Sequence, residues 1–351
     1  MKIAVVKSSV YQDLWVSNIT SNPYELFKTS LMRCPAIGLA EAYNADFIIV
    51  KDTDEFPCNS NKNCMDKKFT DSLKYSKESK RPDRSFLDET YHKHISIDEV
   101  SHLVDDIDWS KYNIVMCINT CIPARITLKY PNIMWSYWIG ENNENLVTTK
   151  LDCYDLILNQ DVMKENLPSF SIGFPYTYVG PKTIETIVKI HYTLNTIEKH
   201  GIFMEINNTK ERPVINIPEE FVSISRESGQ PITRHSQDIL LNAKQLVEAK
   251  YYVKLLGRLI RGNSCLESAS AGTLILADHD KVMYSDLILP ECRIKSYNDV
   301  ILKIKYFDAN PIEYENAIER QRCILNLNYF NGPYEKLIEK YKLFNINPPR
   351  P

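Results

Sequence analysis

Residues 257–278 gather side chains suited to holding an anion. Two glycines and two arginines (Gly257, Arg258, Arg261, Gly262) form a short loop, and Asn263-Ser264-Cys265-Leu266-Glu267 follows it. Small residues then run from Ser268 to Gly272, and Thr273 to Ala277 reads as a strand. This order predicts strand, loop, a short helix over Asn263 to Ala271, a glycine stop and another strand. A helix amino end presents unpaired N–H groups and a positive dipole end, which suit a phosphate. Arg258 and Arg261 add charge-assisted, bidentate contacts. Gly262 lets the backbone approach a ligand closely. Ser264-x-x-Glu267 also has the spacing of a capping box, with Glu267 returning a hydrogen bond to the Ser264 N–H. A carboxylate has two oxygens, so the cap and a ligand contact are both open to Glu267.

Other candidates are placed by the strands before them. In a doubly wound sheet, ligands sit beyond the carboxyl ends of the strands. The loop after the first strand, residues 7–15, carries Asp13, a candidate general base for an acceptor hydroxyl. Trp135-Ser136-Tyr137-Trp138-Ile139-Gly140-Glu141 sets aromatic rings beside a carboxylate. Trp138 is the expected acceptor platform there, and Glu141 a second candidate catalytic carboxylate. Lys210 and Arg212 follow a strand over Ile202 to Ile206. Arg226 follows an expected strand over Phe221 to Ile224, and His235 opens a helix. These are candidate contacts to a phosphate-bearing ligand. Each also has a plainer reading, as a cap, a solvated surface residue or, for Trp138, the edge of an aromatic core.

The elements that must position these residues alternate between apolar runs and helical patterns, which predicts an α/β fold with parallel sheets. Strands are expected at Ile3 to Val6, Phe47 to Val50, Ile114 to Ile118, Ile133 to Trp135 and Asp155 to Leu158. Continuous apolar runs of this kind suit strands covered on both faces. Residues 52–95 are polar and aperiodic, an excursion from the first domain. Gly173 to Pro181 reads as a linker. A second α/β unit follows, with strands at Tyr251 to Leu256 and Thr273 to Ala277. Ser296 starts a helix bearing Val300, Ile301, Ile304 and Phe307 on one face, and an amphipathic helical tail runs from Ile312 to Leu343. The expected domains are therefore 1–178, 179–328, and a tail over 329–351.

Asn263 to Ile275 resembles the donor-binding element of the group-1-like glycosyltransferases of the GT-B fold. Those enzymes carry Glu-Ala-small-Ala-x-Gly before an apolar strand. Leu289-Pro290-Glu291-Cys292 and the helix after Tyr297-Asn298-Asp299-Val300 resemble their usual continuation. The resemblance implies two facing Rossmann-like domains, with C-terminal helices crossing back to the first. It implies that Glu267 binds the ribose hydroxyls of a nucleotide-diphosphate sugar and that the Asn263-Ser264 helix start faces the diphosphate. Leu259 stands eight positions before Glu267, where many retaining members carry another Glu, so that paired arrangement is absent. The function implied is sugar transfer to a glycan or other hydroxyl acceptor, with no cofactor and no metal. A nucleotide-sugar epimerase or hydrolase, or a non-catalytic nucleotide-sugar-binding protein, remains an alternative.

Composition narrows the field. The chain has 351 residues, more than one compact core usually serves. A net charge of −3 argues against a general nucleic-acid binder. No run approaches the roughly 18 apolar residues of a transmembrane segment. The first residues lack the long apolar region of a secretory signal. Nine cysteines, an odd number, read as free thiols in a cytoplasmic protein. Cys117-x3-Cys121, the pair Cys58 and Cys64, and the pair His92 and His94 do not complete a four-ligand metal set. No Walker loop or Gly-x-Gly-x-x-Gly follows the first strand.

Overall fold

Ile114–Ile118 is buried at all five positions. Side chains alternate between the two faces of a strand, so a fully buried run needs cover on both. The computed structural model supplies it. It describes residues 1–8, 39–40, 42–51, 101–118, 120, 122–139, 154–159, 166–175, 198–204, 219–234, 245–255, 259–260 and 263–346. The chain divides into two compact units: Met1–Tyr178 with Asn328–Pro351, and Val179–Leu327.

The first unit holds six strands: β1 (Ile3–Ser8), β2 (Asp46–Val50), β3 (Ile114–Ile118), β4 (Met134–Ile139), β5 (Leu156–Asn159) and β6 (Ser171–Gly173). They lie in the order β2-β1-β3-β4-β5-β6, and every pairing is parallel. Strand order reverses between β1 and β3. Helix α1 (Ala124–Lys129) joins β3 to β4. One face of the sheet packs Val5, Phe47, Met116, Trp138, Leu158 and Phe174 together. The other packs Val6, Val115, Trp135 and Tyr154 with Trp109.

The second unit has four strands: β7 (Ile202–Met204), β8 (Ile232–Arg234), β9 (Tyr251–Lys254) and β10 (Leu274–Ala277). Their order is β10-β9-β7-β8, again all parallel, with the reversal between β7 and β9. Helix α2 (Glu219–Ser228) precedes β8, and α3 (Asn263–Ser270) joins β9 to β10. α4 (Tyr297–Ala309) starts at Ser296 with a complete capping box to Asp299, and Val300, Ile301, Ile304 and Phe307 are its buried face. α5 (Pro311–Ile324) follows. A π-helical segment, Leu325–Asn331, connects it to α6 (Gly332–Ile346).

α6 belongs to the first unit. Leu337 and Phe344 lie in the core cluster of Val5 and Met116. Tyr334 stacks on Tyr43 with centroids 4.8 Å apart, and Tyr43 donates to the Phe330 carbonyl at 3.2 Å. Asn113 donates to the Tyr341 hydroxyl at 3.0 Å, and Lys340 reaches the Ser169 carbonyl at 2.7 Å.

Two expectations are corrected. Phe221 to Ile224 is not a strand but part of α2. Phe221 and Ile224, three apart, are the buried positions of that helix, and Glu219 and Glu220 occupy its favourable first turn. The strand of this region is the three-residue Ile232–Arg234. The linker expected from Gly173 begins too early, because Gly173 closes β6 and Phe174 is fully buried.

Candidate functional site

The β9–α3–β10 crossover places the amino end of α3 at the carboxyl end of the second sheet, because β9 and β10 are parallel and the helix must run back between them. Ser264 lies inside α3, which starts at Asn263, so the capping-box reading of Ser264 does not hold. The Ser264 carbonyl instead accepts from the Ser268 hydroxyl at 2.7 Å. Glu267 is one turn into the helix and only 2% exposed. Helical side chains lean back toward the amino end, so its carboxylate is carried toward the carboxyl edge of the sheet.

The far end of α3 is fixed by a Schellman motif. Thr273 N–H donates to the Ser268 carbonyl at 2.9 Å and Gly272 N–H to the Ala269 carbonyl at 3.1 Å. Gly272 has φ +70°, the left-handed conformation the motif needs. Lys199 donates to the Ala271 carbonyl at 2.6 Å and to the Thr273 hydroxyl at 3.1 Å. Burial, with a smaller contribution from Arg322, pushes the Lys199 amine down to about 7.

Two lysines absent from the sequence-based set stand out. Lys254 ends β9 and Lys7 sits one residue before the end of β1, and both are fully buried. Each is on a strand that flanks its sheet's order reversal, the place where doubly wound sheets take ligands. Lys7 lies in one row with Ile49, Ile118, Trp138, Leu158 and Ile172 through consecutive parallel registers. It is the single charge in an otherwise apolar row. The signal in the sequence is a lysine closing an apolar strand, as in Ile3-Ala4-Val5-Val6-Lys7 and Tyr251-Tyr252-Val253-Lys254.

The same row corrects Trp138. Its side chain is 1% exposed and packs on apolar neighbours within the first unit's core, the plainer of its two readings. Arg226 is displaced as well. It sits in the last turn of α2, which leads into β8 and therefore ends at the amino side of the parallel strands. That is the opposite side from the carboxyl ends. Leu259, standing where paired-Glu enzymes carry their first Glu, is 55% exposed. Asp13, Glu141, Lys210, Arg212, His235, Arg258 and Arg261 lie outside the described residues, as does the side chain of Asn263.

Beyond β10, Asp278 N–H donates to the Lys254 carbonyl at 2.8 Å, which sets Asp278 beside the carboxyl end of β9. Asp278, His279 and Asp280 bring three ligand-type atoms within 4.8 Å of one another. Lys295 stands among them, 2.5 Å from Asp278 Oδ1 and 2.6 Å from Asp280 Oδ2. Its ammonium supplies the positive charge this group calls for. The Lys295 hydrogen bond is the main force holding the Asp280 carboxyl below its usual range. Burial pushes the Cys292 thiol up to about 12, so it is no nucleophile near neutral pH.

No protein-family profile matches the chain, and no curated protein matches it either. Solved structures do. An α-glucosyltransferase in complex with UDP and a 13-mer DNA containing a HMU base is 11% identical, with 97% of this chain and 99% of that one covered and a TM-score of 0.49. A glycosyltransferase from Rickettsia africae is 11% identical over 99% of each chain, with a TM-score of 0.45. Sucrose-phosphate synthase from Thermosynechococcus elongatus is 10% identical over 98% of this chain and 99% of that one, with a TM-score of 0.44. Among the described residues, no helix is long and apolar enough to cross a membrane.

Proposed function

We propose that this chain is a glycosyltransferase that moves a sugar from a nucleotide-diphosphate sugar to a hydroxyl acceptor. The observation that carries the reading is the pair of buried charges on β9 and α3. Lys254 and Glu267 are 0% and 2% exposed, and both serve the carboxyl edge of a parallel sheet beside its order reversal. A nucleotide-diphosphate sugar matches the two in kind: phosphate oxygens accept from a lysine, and ribose hydroxyls donate to a carboxylate.

In this reading the second unit, 179–328, is the donor domain. Glu267 accepts from the ribose hydroxyls. Lys254, Arg258, Arg261 and the helix start at Asn263-Ser264 hold the diphosphate. The first unit takes the acceptor, and residues 329–351 return to it, as in the facing Rossmann-like domains of the GT-B architecture. The acceptor oxygen attacks the anomeric carbon as the bond to the diphosphate breaks. The acceptor proton passes to a carboxylate, for which Asp13 and Glu141 are the candidates. Fixed cations and helix N–H groups stabilise the departing diphosphate, so the reaction needs no metal ion.

The test is a thermal-shift series with UDP, GDP, ADP, CMP and phosphate, each with and without Mg²⁺. A ligand at about 100 times its Kd adds about 2.7 kcal/mol to a state that alone binds it. A rise with one nucleoside diphosphate, independent of Mg²⁺, supports the reading and names the base. No rise with any of them overturns it.

A further inference from the structure

We propose that His279, held in place by Asp280, accepts a hydrogen bond from a hydroxyl of the donor's sugar. The inference rests on the donor reading of the second unit and extends it to the transferred group.

His279–Lys281 is a single 3-10 turn directly beyond β10. It is tied to the loop between β9 and α3 by a parallel bridge from Ile260 to Val282. Ile260 N–H donates to the Lys281 carbonyl, and Met283 N–H to the Ile260 carbonyl, both at 2.9 Å. The turn is therefore joined to Ile260, between β9 and α3.

The ring has a fixed polarity. His279 Nε2 is 3.2 Å from Asp280 Oδ1. The other Asp280 oxygen is engaged by Lys295, which also holds Asp278. An ionised carboxylate only accepts, so Nε2 carries the proton, and in the neutral ring Nδ1 presents a bare lone pair. Nδ1 is buried and has no hydrogen-bond partner, although the ring is partly exposed. A buried acceptor of this kind is rare in folded proteins and marks a place for a donor.

The chemistry of a nucleotide sugar selects which group provides that donor. Ionised phosphates have no proton to give. The ribose hydroxyls are assigned to Glu267. The hydroxyls of the sugar are the remaining donors near the diphosphate loop, since the base lies on the far side of the ribose.

The experiment is isothermal titration of the full chain with UDP and UDP-glucose, and with GDP and GDP-mannose as a second pair. His279→Ala is expected to weaken binding of the sugar nucleotide by about five- to tenfold while leaving the diphosphate within about twofold. His279→Asn, whose Oδ1 stands near the position of Nδ1, should recover most of the loss. Equal loss with both ligands, or no loss with either, overturns the assignment of His279 while leaving the donor site intact. If the unaltered protein shows no rise with any nucleotide of the thermal-shift series, the donor reading fails first and this inference with it.

Discussion

Gln321 and Ile275 are joined through a side chain doing the work of a strand. The Ile275 N–H donates to Gln321 Oε1 at 3.0 Å, and Gln321 Nε2 donates to the Thr273 carbonyl at 2.9 Å. Both amide groups of the side chain are spent on the open side of β10, and Gln321 is 1% exposed. Replacing it with Leu leaves a buried N–H and a buried carbonyl unsatisfied. We expect Gln321→Leu to lose about 2 kcal/mol or more in urea unfolding, with an unchanged m-value. A loss below about 0.5 kcal/mol would show that water reaches both groups.

Gly272→Ala tests the stop of α3. The added Cβ would meet only the Arg322 guanidinium at 3.5 Å, so space is not the obstacle. The left-handed backbone is, and the expected cost is about 1–2 kcal/mol. An unchanged melting temperature would show that the turn adopts another conformation.

Lys199 gives a pH dependence of known sign. Its folded value, about 7, is below the ordinary 10.5. Between those values the unfolded chain holds a proton that the folded chain lacks, so stability rises with pH across that window. The penalty is complete below about 7 and fades toward 10.5. Unfolding by urea at pH 7 and pH 9 should give the larger free energy at pH 9. Lys199→Met should flatten the difference, and an equal slope in the variant would assign the effect to another group.

Glu267 and Lys254 are the residues on which the donor site turns. Glu267→Gln keeps the volume but weakens the acceptor, and the expected loss in nucleotide affinity is about tenfold or more. Lys254→Met removes the buried charge and should weaken diphosphate binding more than nucleoside binding. Titration calorimetry reads both, with circular dichroism to check that each variant folds. Unchanged affinity in the two variants would remove the site from this edge of the sheet.

The fold was more legible in the sequence than the site. Ile114 to Ile118 and Phe47 to Val50 announce buried parallel strands because no polar residue interrupts them. Phe221-Val222-Ser223-Ile224 misled because β-branched residues favour strands. The helical spacing of Phe221 and Ile224 and the paired glutamates before them were the better guide. Trp138 beside Glu141 has the composition of a sugar platform. Both faces of β4 are covered, so either parity would bury it, a long-range fact that local composition does not carry. Neither lysine was singled out, because Lys7 reads as the first residue of the loop after the first strand and Lys254 as an interior residue of a strand over Tyr251 to Leu256. Only the neighbouring strands reveal that each is enclosed.

The return of α6 to the first unit has a consequence for biosynthesis. The hydrophobic face that receives Leu337 and Phe344 is made by strands translated near the start of the chain. It stays uncovered while the whole of the second unit emerges from the ribosome. The first unit can therefore complete this part of its core only after the second unit has been translated.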